Sequence, residues 1–464
     1  MSLVLDAGSL KKIKINLEDY AYSQDLSHKI LLSELSPQDS KILEEILFSS
    51  IKTTAQKLTE ATSLSLEALN HALSLFKNCG LIKEEGDHLV IDKELRKYFD
   101  IEIQRFEDDF EPNIDFLVHL LKKIPIHVLP SWYALPRTST HIFESIVEKH
   151  LQSPQIYQRL ISEIQGQEPL LKPIIDVLFT SDELELSLEF LEAHFNFSKE
   201  TLFQVTTLLE YNLVASVRYK KIDNAFKGFL TPFAEFKNYL NHLRKTEART
   251  LDEKEVQKIT LSPFAFIEGM FTLIKCFKSK TYSYPLDRSS ESELKEALAE
   301  SELSYLDFEE LMQKLLQTQL IDSKNNQINL NETSFNFISM KPESAALVLY
   351  RHPLNKPRLQ LSIPVEKGIR ECEKAACRLL GKGWVLFEEF IEGIVVPLNE
   401  DGQVLLKKAG RQFSYVLPTY GHYEQEFLHH IFMDWFEKVG VIETGFYASK
   451  ACIRLTTLGI EIFS

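Results

Sequence analysis

The side chains most able to do chemistry in this chain are bases gathered in one place. Between Val214 and Arg249 stand Arg218, Lys220, Lys221, Lys227, Lys237, Arg244, Lys245 and Arg249, against Asp223, Glu235 and Glu247. The excess is local, because the chain as a whole carries a net charge of −15. Bases at this density neutralise phosphates and release counterions. Arg218, Tyr219, Lys220, Lys221, Lys227, Arg244 and Lys245 are therefore the first candidates for contact with a nucleic-acid backbone. Lys407, Lys408 and Arg411, mixed with Phe413 and Tyr415, form a second, smaller cluster in what reads as a loop. Base and aromatic together suit a stacked single strand. The competing expectation is a solvated hairpin whose bases pair with neighbouring acids. Neutralisation by Asp108 or Glu111 would favour it.

A different kind of contact is expected at Trp132 and Tyr133, which lie among Pro125, Pro130 and Pro136 in a segment, 125–137, that reads as an extended ordered linker. Exposed, they would anchor a protein partner, since Trp and Tyr bring large area at low entropy cost. Buried, they would staple two modules together. The run 100–115 holds seven acids and one base, Arg105. It reads as a solvated connector face or as a surface for a basic partner.

Catalytic and metal-binding patterns are absent from the sequence. There is no Gly-rich phosphate loop, no G-x-S-x-G and no H-E-x-x-H. Neighbouring His429 and His430 point to different helix faces, which makes a poor metal site. Cys372 and Cys377 form a C-x4-C pair without a second pair at metal spacing, so two ordinary thiols are expected. The expectation is a non-enzyme with no cofactor and no metal. Five scattered cysteines suit a reducing compartment. No signal peptide and no long apolar run is seen, so a cytoplasmic protein without membrane contact is expected.

The elements that would position these residues follow one pattern. In Ser65–Asp92, apolar Leu66, Leu69, Ala72, Leu73 and Phe76 mark one helix face. Gly80 stops the helix. Leu81-Ile82, the turn Glu85-Gly86-Asp87-His88 and Leu89-Val90-Ile91 then make a hairpin. Ser198-x-Glu200-x-Leu202 and Asp307-x-Glu309-x-Leu311 repeat the helix start Ser65-x-Glu67-x-Leu69. A capping side chain followed by a carboxylate in the first turn suits such a start. A fourth helix, Tyr423 to Val439, runs through Gly440-Val441-Ile442 into the last hairpin.

Helix into hairpin is the second half of a winged helix. The closing sequence Arg454-Leu455-Thr456-Thr457-Leu458-Gly459 resembles the end of a bacterial winged-helix domain. There Leu455 would reach the core, Thr456 would cap a short helix and Gly459 would permit close packing. Residues 383–463 also resemble the accessory winged-helix modules of superfamily II helicases related to the transcription-factor helicases, without a motor. The resemblance implies a mainly α chain with small β-hairpins, an array of three to four winged-helix modules joined by helical and Pro-punctuated linkers. The expected layout is an arm over 1–35, module one over 36–112, a linker with helices over 113–168 and module two over 169–250. A helical segment with module three fills 251–364, and module four fills 365–464. Within 251–364 the first helix of module three is expected over 291–298, its third over 306–316, and its second has no clear place. The arm and residues 340–365 read as strand-like.

In a DNA-reading winged helix the third helix enters the major groove. The third helices of modules three and four carry more acid than base, so only module two offers a suitable surface. The expected function is an adaptor associated with DNA in transcription or DNA maintenance, with a protein partner elsewhere. The alternative is a protein-interaction scaffold that binds no nucleic acid.

Overall fold

The computed structural model describes residues 15–464, with 137, 358, 360, 400, 401 and 411 excepted. The chain is mainly α-helical with small antiparallel sheets. It divides into two compact units. The first holds the described residues up to Asn241 together with Leu405–Val416, and the second holds His242–Val404 with Leu417–Ser464.

In the first unit one sequence of elements occurs twice. The first copy is helix Pro37–Phe48, strand Lys52–Thr53, helices Ala55–Thr62 and Leu66–Asn78, and the hairpin Ile82–Glu85 with His88–Ile91. The strand 52–53 adds to the hairpin beside strand 88–91. Ser36 and Asp39 close a capping box around Pro37, and Thr54 and Ser65 cap the next two helices. Each such cap contributes about 1 kcal/mol. Gly80 ends helix 66–78 at a φ of 85°, a conformation that costs a β-carbon residue energy.

The second copy is helix Lys172–Thr180, strand Leu186–Ser187, helices Leu188–Phe195 and Lys199–Tyr211, and the hairpin Ala215–Ile222 with Ala225–Pro232. Again the short strand pairs with the second hairpin strand. Asp223 and Asn224 both take positive φ at the hairpin turn, the twist that tight hairpins favour. Helix Ala234–Lys245 follows.

The second unit contains helices Ala265–Ser279, Arg288–Glu300 and Phe308–Gln317, then short paired strands Ile321–Asp322 and Asn329–Leu330. Ser283 bridges to Gln327 before the second helix, in the place the short strand holds in the earlier copies. Helix 265–279 thus stands first in this group and helix 288–300 second, one place later than expected for 291–298. The last group is helix Val365–Ala376, strand Trp384–Leu386, helix Phe387–Glu392, a helix from His422 to Lys438, the hairpin Ile442–Tyr447 with Lys450–Leu455, and helix Thr457–Phe463. Thr250–Leu251 and Gln257–Lys258 extend that hairpin and strand 384–386 into a five-stranded sheet. The Thr456 hydroxyl donates to the Gly440 carbonyl at 2.6 Å and accepts from the Gly459 N–H at 3.0 Å. A Cβ on Gly459 would stand 2.2 Å from the Val441 oxygen, so only glycine allows this approach.

Four local expectations are corrected. Residues 22–32 form helix Tyr22–Leu32, not a strand or arm, because Leu26, Lys29 and Leu32 share one buried face. The lysines of 11–14 lie outside the described residues. The segment 125–136 is not extended throughout: Leu129–Trp132 is a helical turn, and Pro130 sits at its start, where no intrahelical N–H is needed. Residues 342–351 form helix Pro342–Arg351, because Ala345, Ala346 and Leu349 fall on one face and Pro342 opens it. The basic and aromatic segment near 410 is a hairpin, Leu405–Ala409 with Gln412–Val416, rather than a loop.

Candidate functional site

The hairpin 215–232 presents its bases to acids of the same unit. Arg218 Nε donates to Glu185 Oε1 at 2.8 Å, and its Nη1 donates to the Phe110 carbonyl at 3.1 Å. Glu111 lies 3.9 Å from both Arg218 and Lys237. Lys220 donates to the other oxygen of Glu185 at 2.5 Å, and Lys227 stands 3.6 Å from Glu189. Glu185 is 5% exposed, so its charge is compensated locally and not by solvent. Tyr219 is buried and stacks on Phe106 at 4.4 Å, which corrects its expected place on a contact surface. Lys221, Arg244 and Lys245 are exposed.

The third helix of this copy is closed to a groove. Thr206, Thr207 and Glu210 of helix 199–211 are all buried, and helix Tyr22–Leu32 lies against them. Lys29 Nζ donates to Thr207 Oγ1 at 2.8 Å and to Glu210 Oε2 at 2.6 Å. Glu210 Oε1 meets Arg105 Nη1 at 2.7 Å, and Arg105 Nε donates to Glu102 Oε2 at 2.7 Å. Glu102 pairs with Lys123, Lys123 lies 3.2 Å from Asp25, and Asp25 lies 3.5 Å from Lys29. The six charges alternate and close on themselves as a buried ring. Tyr20 and Tyr98 hydroxyls each donate to Asp25 at 2.8 Å, and Ser216 donates to Glu210 at 2.7 Å.

Burial alone would raise the pKa of each carboxyl in the ring, but the neighbouring bases win. Lys123 and Lys29 hold Asp25 well below its ordinary value, and Arg105 with Lys123 lowers Glu102. Arg105 and Lys29 bring Glu210 down to about 2. Lys29 and Arg105 are correspondingly raised by their carboxylates. Groups locked in the charged state offer no acid or base poised near neutrality. The ring ties helix 22–32, and Glu102, Arg105 and Lys123 beyond the first hairpin, to Glu210 of helix 199–211. The expectation of a solvated face over 100–115 is corrected for two residues, since Glu102 and Arg105 are both in the ring.

The partner anchor expected at Trp132 and Tyr133 is also corrected, because each is 1% exposed. Trp132 Nε1 donates to Asp19 Oδ2 at 2.8 Å, and the Tyr133 hydroxyl donates to the Tyr211 carbonyl at 2.6 Å. They are the staple, and a loop so apolar gains more against a core than in water. In hairpin 405–416, Lys407 and Lys408 are exposed, and the Lys408 ammonium sits 5.1 Å from the Phe413 ring. The hairpin is fixed to the first unit by Leu406 N donating to Gln152 O and Tyr415 OH donating to Leu151 O, both at 2.8 Å. Arg411 lies outside the described residues.

The sequence gives no warning of two clefts. One, of about 710 Å³ in the first unit, opens beside the ring and is lined by Tyr20, Asp25, His28, Tyr98, His119 and Lys123. The other, of about 910 Å³, lies in the second unit between helices 308–317 and 422–438. Phe266, Phe308, Met312 and Leu349 give it apolar walls. Lys438 joins its two helices by pairing with Glu310 and Asp434, and His430 Nδ1 lies 3.0 Å from Asp434. Residues 431–435 make one π-helical turn on this wall, a local widening that often accompanies a site. Lys314 and Lys356 line the cleft half-buried, with no ion-pair partner among the described residues. Burial holds the Lys314 ammonium below its ordinary pKa. Trp435 and Asn355 line it too, at 4% and 1% exposure. Their indole N–H and amide oxygen have no hydrogen-bond partner among the described residues.

Among the described residues no group of three His, Cys, Asp or Glu side chains could hold a metal ion. No described helix is long and apolar enough to cross a membrane. Comparison with protein-family models, with curated proteins and with solved structures finds no match.

Proposed function

We propose that this chain is a non-enzymatic scaffold of tandem winged-helix modules that binds protein rather than nucleic acid. The repeated order of three helices, a short strand and a hairpin is the support for the winged-helix assignment. The observation that carries the scaffold reading is the fate of module two. It is the one module whose charge suits DNA, yet its third helix is covered by helix 22–32 and its hairpin bases meet Glu185, Glu111 and Glu189. Phosphates would have to displace these carboxylates, and Glu185, with a 5% exposed side chain, would be left charged and buried. In the second unit, helices 308–317 and 422–438 spend much of their outer faces on the shared cleft and on the Lys438 pairs.

A second reading keeps DNA as a partner through Lys221, Lys245, Lys407 and Lys408, which remain exposed. Titration of labelled duplex and single-stranded DNA at low and at physiological salt decides between the two. The scaffold predicts no salt-dependent binding. Binding that weakens when Lys221, Lys245, Lys407 and Lys408 are neutralised together would overturn it.

A further inference from the structure

We propose that residues 250–258 form a strap that opens and closes over the sheet of the last helix-and-hairpin group while the group itself stays folded.

Three observations carry it. The first is that the group is complete without the strap. In the first two copies the sheet has three strands: the short strand, then the second hairpin strand, then the first. Strands 384–386, 450–455 and 442–447 stand in that same order. The strap adds Thr250–Leu251 outside one edge and Gln257–Lys258 outside the other.

The second is how little holds the strap down. Each of its ends pairs over two residues, against six between the hairpin strands. One further bond runs from the Ile259 N–H to the Thr444 carbonyl at 3.2 Å. Residues 252–255, 257 and 258 are exposed, and Leu251 and Val256 are half-buried. Segments with few buried apolar groups and exposed backbone bonds open at the lowest free energy.

The third is that opening strands no buried charge. Arg454 Nη1 donates to Glu253 Oε1 at 2.8 Å, but the Glu253 side chain is 60% exposed and returns to water. Exposed pairs of this kind contribute little. Buried Glu443 would lose Lys258, 3.9 Å away, and keep Arg454. Arg454 also keeps the Trp384 ring, 4.9 Å from its guanidinium.

Gly445 supplies the means of prying the strap off. A Cβ there would stand 2.9 Å from Val256 Cγ1 and 3.0 Å from the Gln257 carbonyl oxygen, both in the strap, and 3.2 Å from Trp384 Cζ3. Its φ is not positive, so alanine suits the strand and presses chiefly on the strap. The test is hydrogen exchange of the full chain, read residue by residue in the mass spectrometer. The Ile259 N–H reports the strap, and the Thr456 N–H, bonded to the Val441 carbonyl, reports the group. Ile259 should exchange about tenfold faster than Thr456, or more. Gly445→Ala should speed Ile259 severalfold further and leave Thr456 unchanged. Glu253→Gln, on the exposed strap itself, should act in the same direction by a smaller factor, and it decides alone if Gly445→Ala unfolds the group. Equal exchange at Ile259 and Thr456 would mean that the strap opens only with the whole group, and overturns the proposal. So do variants that speed both amides alike or alter neither.

Discussion

Helices 66–78 and 199–211 hold the same place in their groups and begin in the same way. Ser65 accepts from the Ala68 N–H at 3.3 Å, and Ser198 accepts from the Thr201 N–H at 3.1 Å. Both run thirteen residues into a hairpin. Their outer faces differ. Leu66, Glu67, Asn70, His71 and Ser74 are open to solvent, whereas Thr206, Thr207 and Glu210 are buried under helix 22–32. Caps and apolar spacing build the helix in both cases. They do not decide whether its far side stays free. That depends on a segment nearly two hundred residues earlier in the chain, and on whether the polar groups of that side can be matched.

The sharpest way to break this comparison is to remove one member of the ring. Glu210→Ala leaves Lys29 and Arg105 buried without their shared carboxylate, and should cost about 3 to 5 kcal/mol. Urea unfolding of the full chain measures it. An effect below about 1 kcal/mol would mean that helix 199–211 is not truly closed.

The next effect is in pH. Asp25, Glu102 and Glu210 have folded pKa values below their unfolded ones, so their contribution is whole above about pH 4.5 and is lost as pH falls towards about 2. Glu235, which accepts from the Ile114 N–H at 3.0 Å, has the opposite sign. Burial pushes its carboxyl up to about 7 from an ordinary 4.5, so its contribution is whole below about pH 4.5 and is lost as pH rises through about 7. Thermal melts from pH 2 to 9 should show both declines. Glu235→Gln should flatten the alkaline one by about 3 kcal/mol and leave the acid one unchanged. An unaltered alkaline limb would refute the assignment.

Smaller effects test what the two helices share. Ser65→Ala and Ser198→Ala should each cost about 1 kcal/mol, because each removes the same cap. A large difference between them would show that environment, not the cap, sets the value. Smallest of all, Asn70→Ala and Ser74→Ala on the open face should change stability by less than about 0.5 kcal/mol. Set beside Glu210→Ala, they measure the contrast between an open and a closed face directly.

Much of the architecture was legible in the residues. Ser36-Pro37, Ser65, Ser198 and Asp307 mark helix starts that the structure places at those caps. Gly80 and Gly440 mark helix ends, and both take positive φ. The ring was not legible. Asp25 with Lys29, and Glu102 with Arg105, have the i,i+4 and i,i+3 spacing of ordinary surface pairs. Nothing local tells a surface pair from a buried one. The available signal was the company of Leu26, Leu32 and Tyr20 around Asp25, which argues against a solvated arm. The apolar run Leu347-Val348-Leu349 misled at 342–351, where it lies in a helix that Pro342 opens. The cleft of the second unit also escaped notice, because its walls come from segments that are distant in the sequence.

The ring has a consequence for the order of events during synthesis. Lys29 meets Glu210 across 181 residues of sequence. At ordinary elongation rates that length takes about 10 to 40 s to make. Asp25, Lys29, Glu102 and Arg105 all leave the ribosome before Glu210 exists. Those four charges therefore spend that interval without Glu210, and helix 22–32 can take its final seat only when helix 199–211 arrives. Closure of the ring is a late event in the making of this unit.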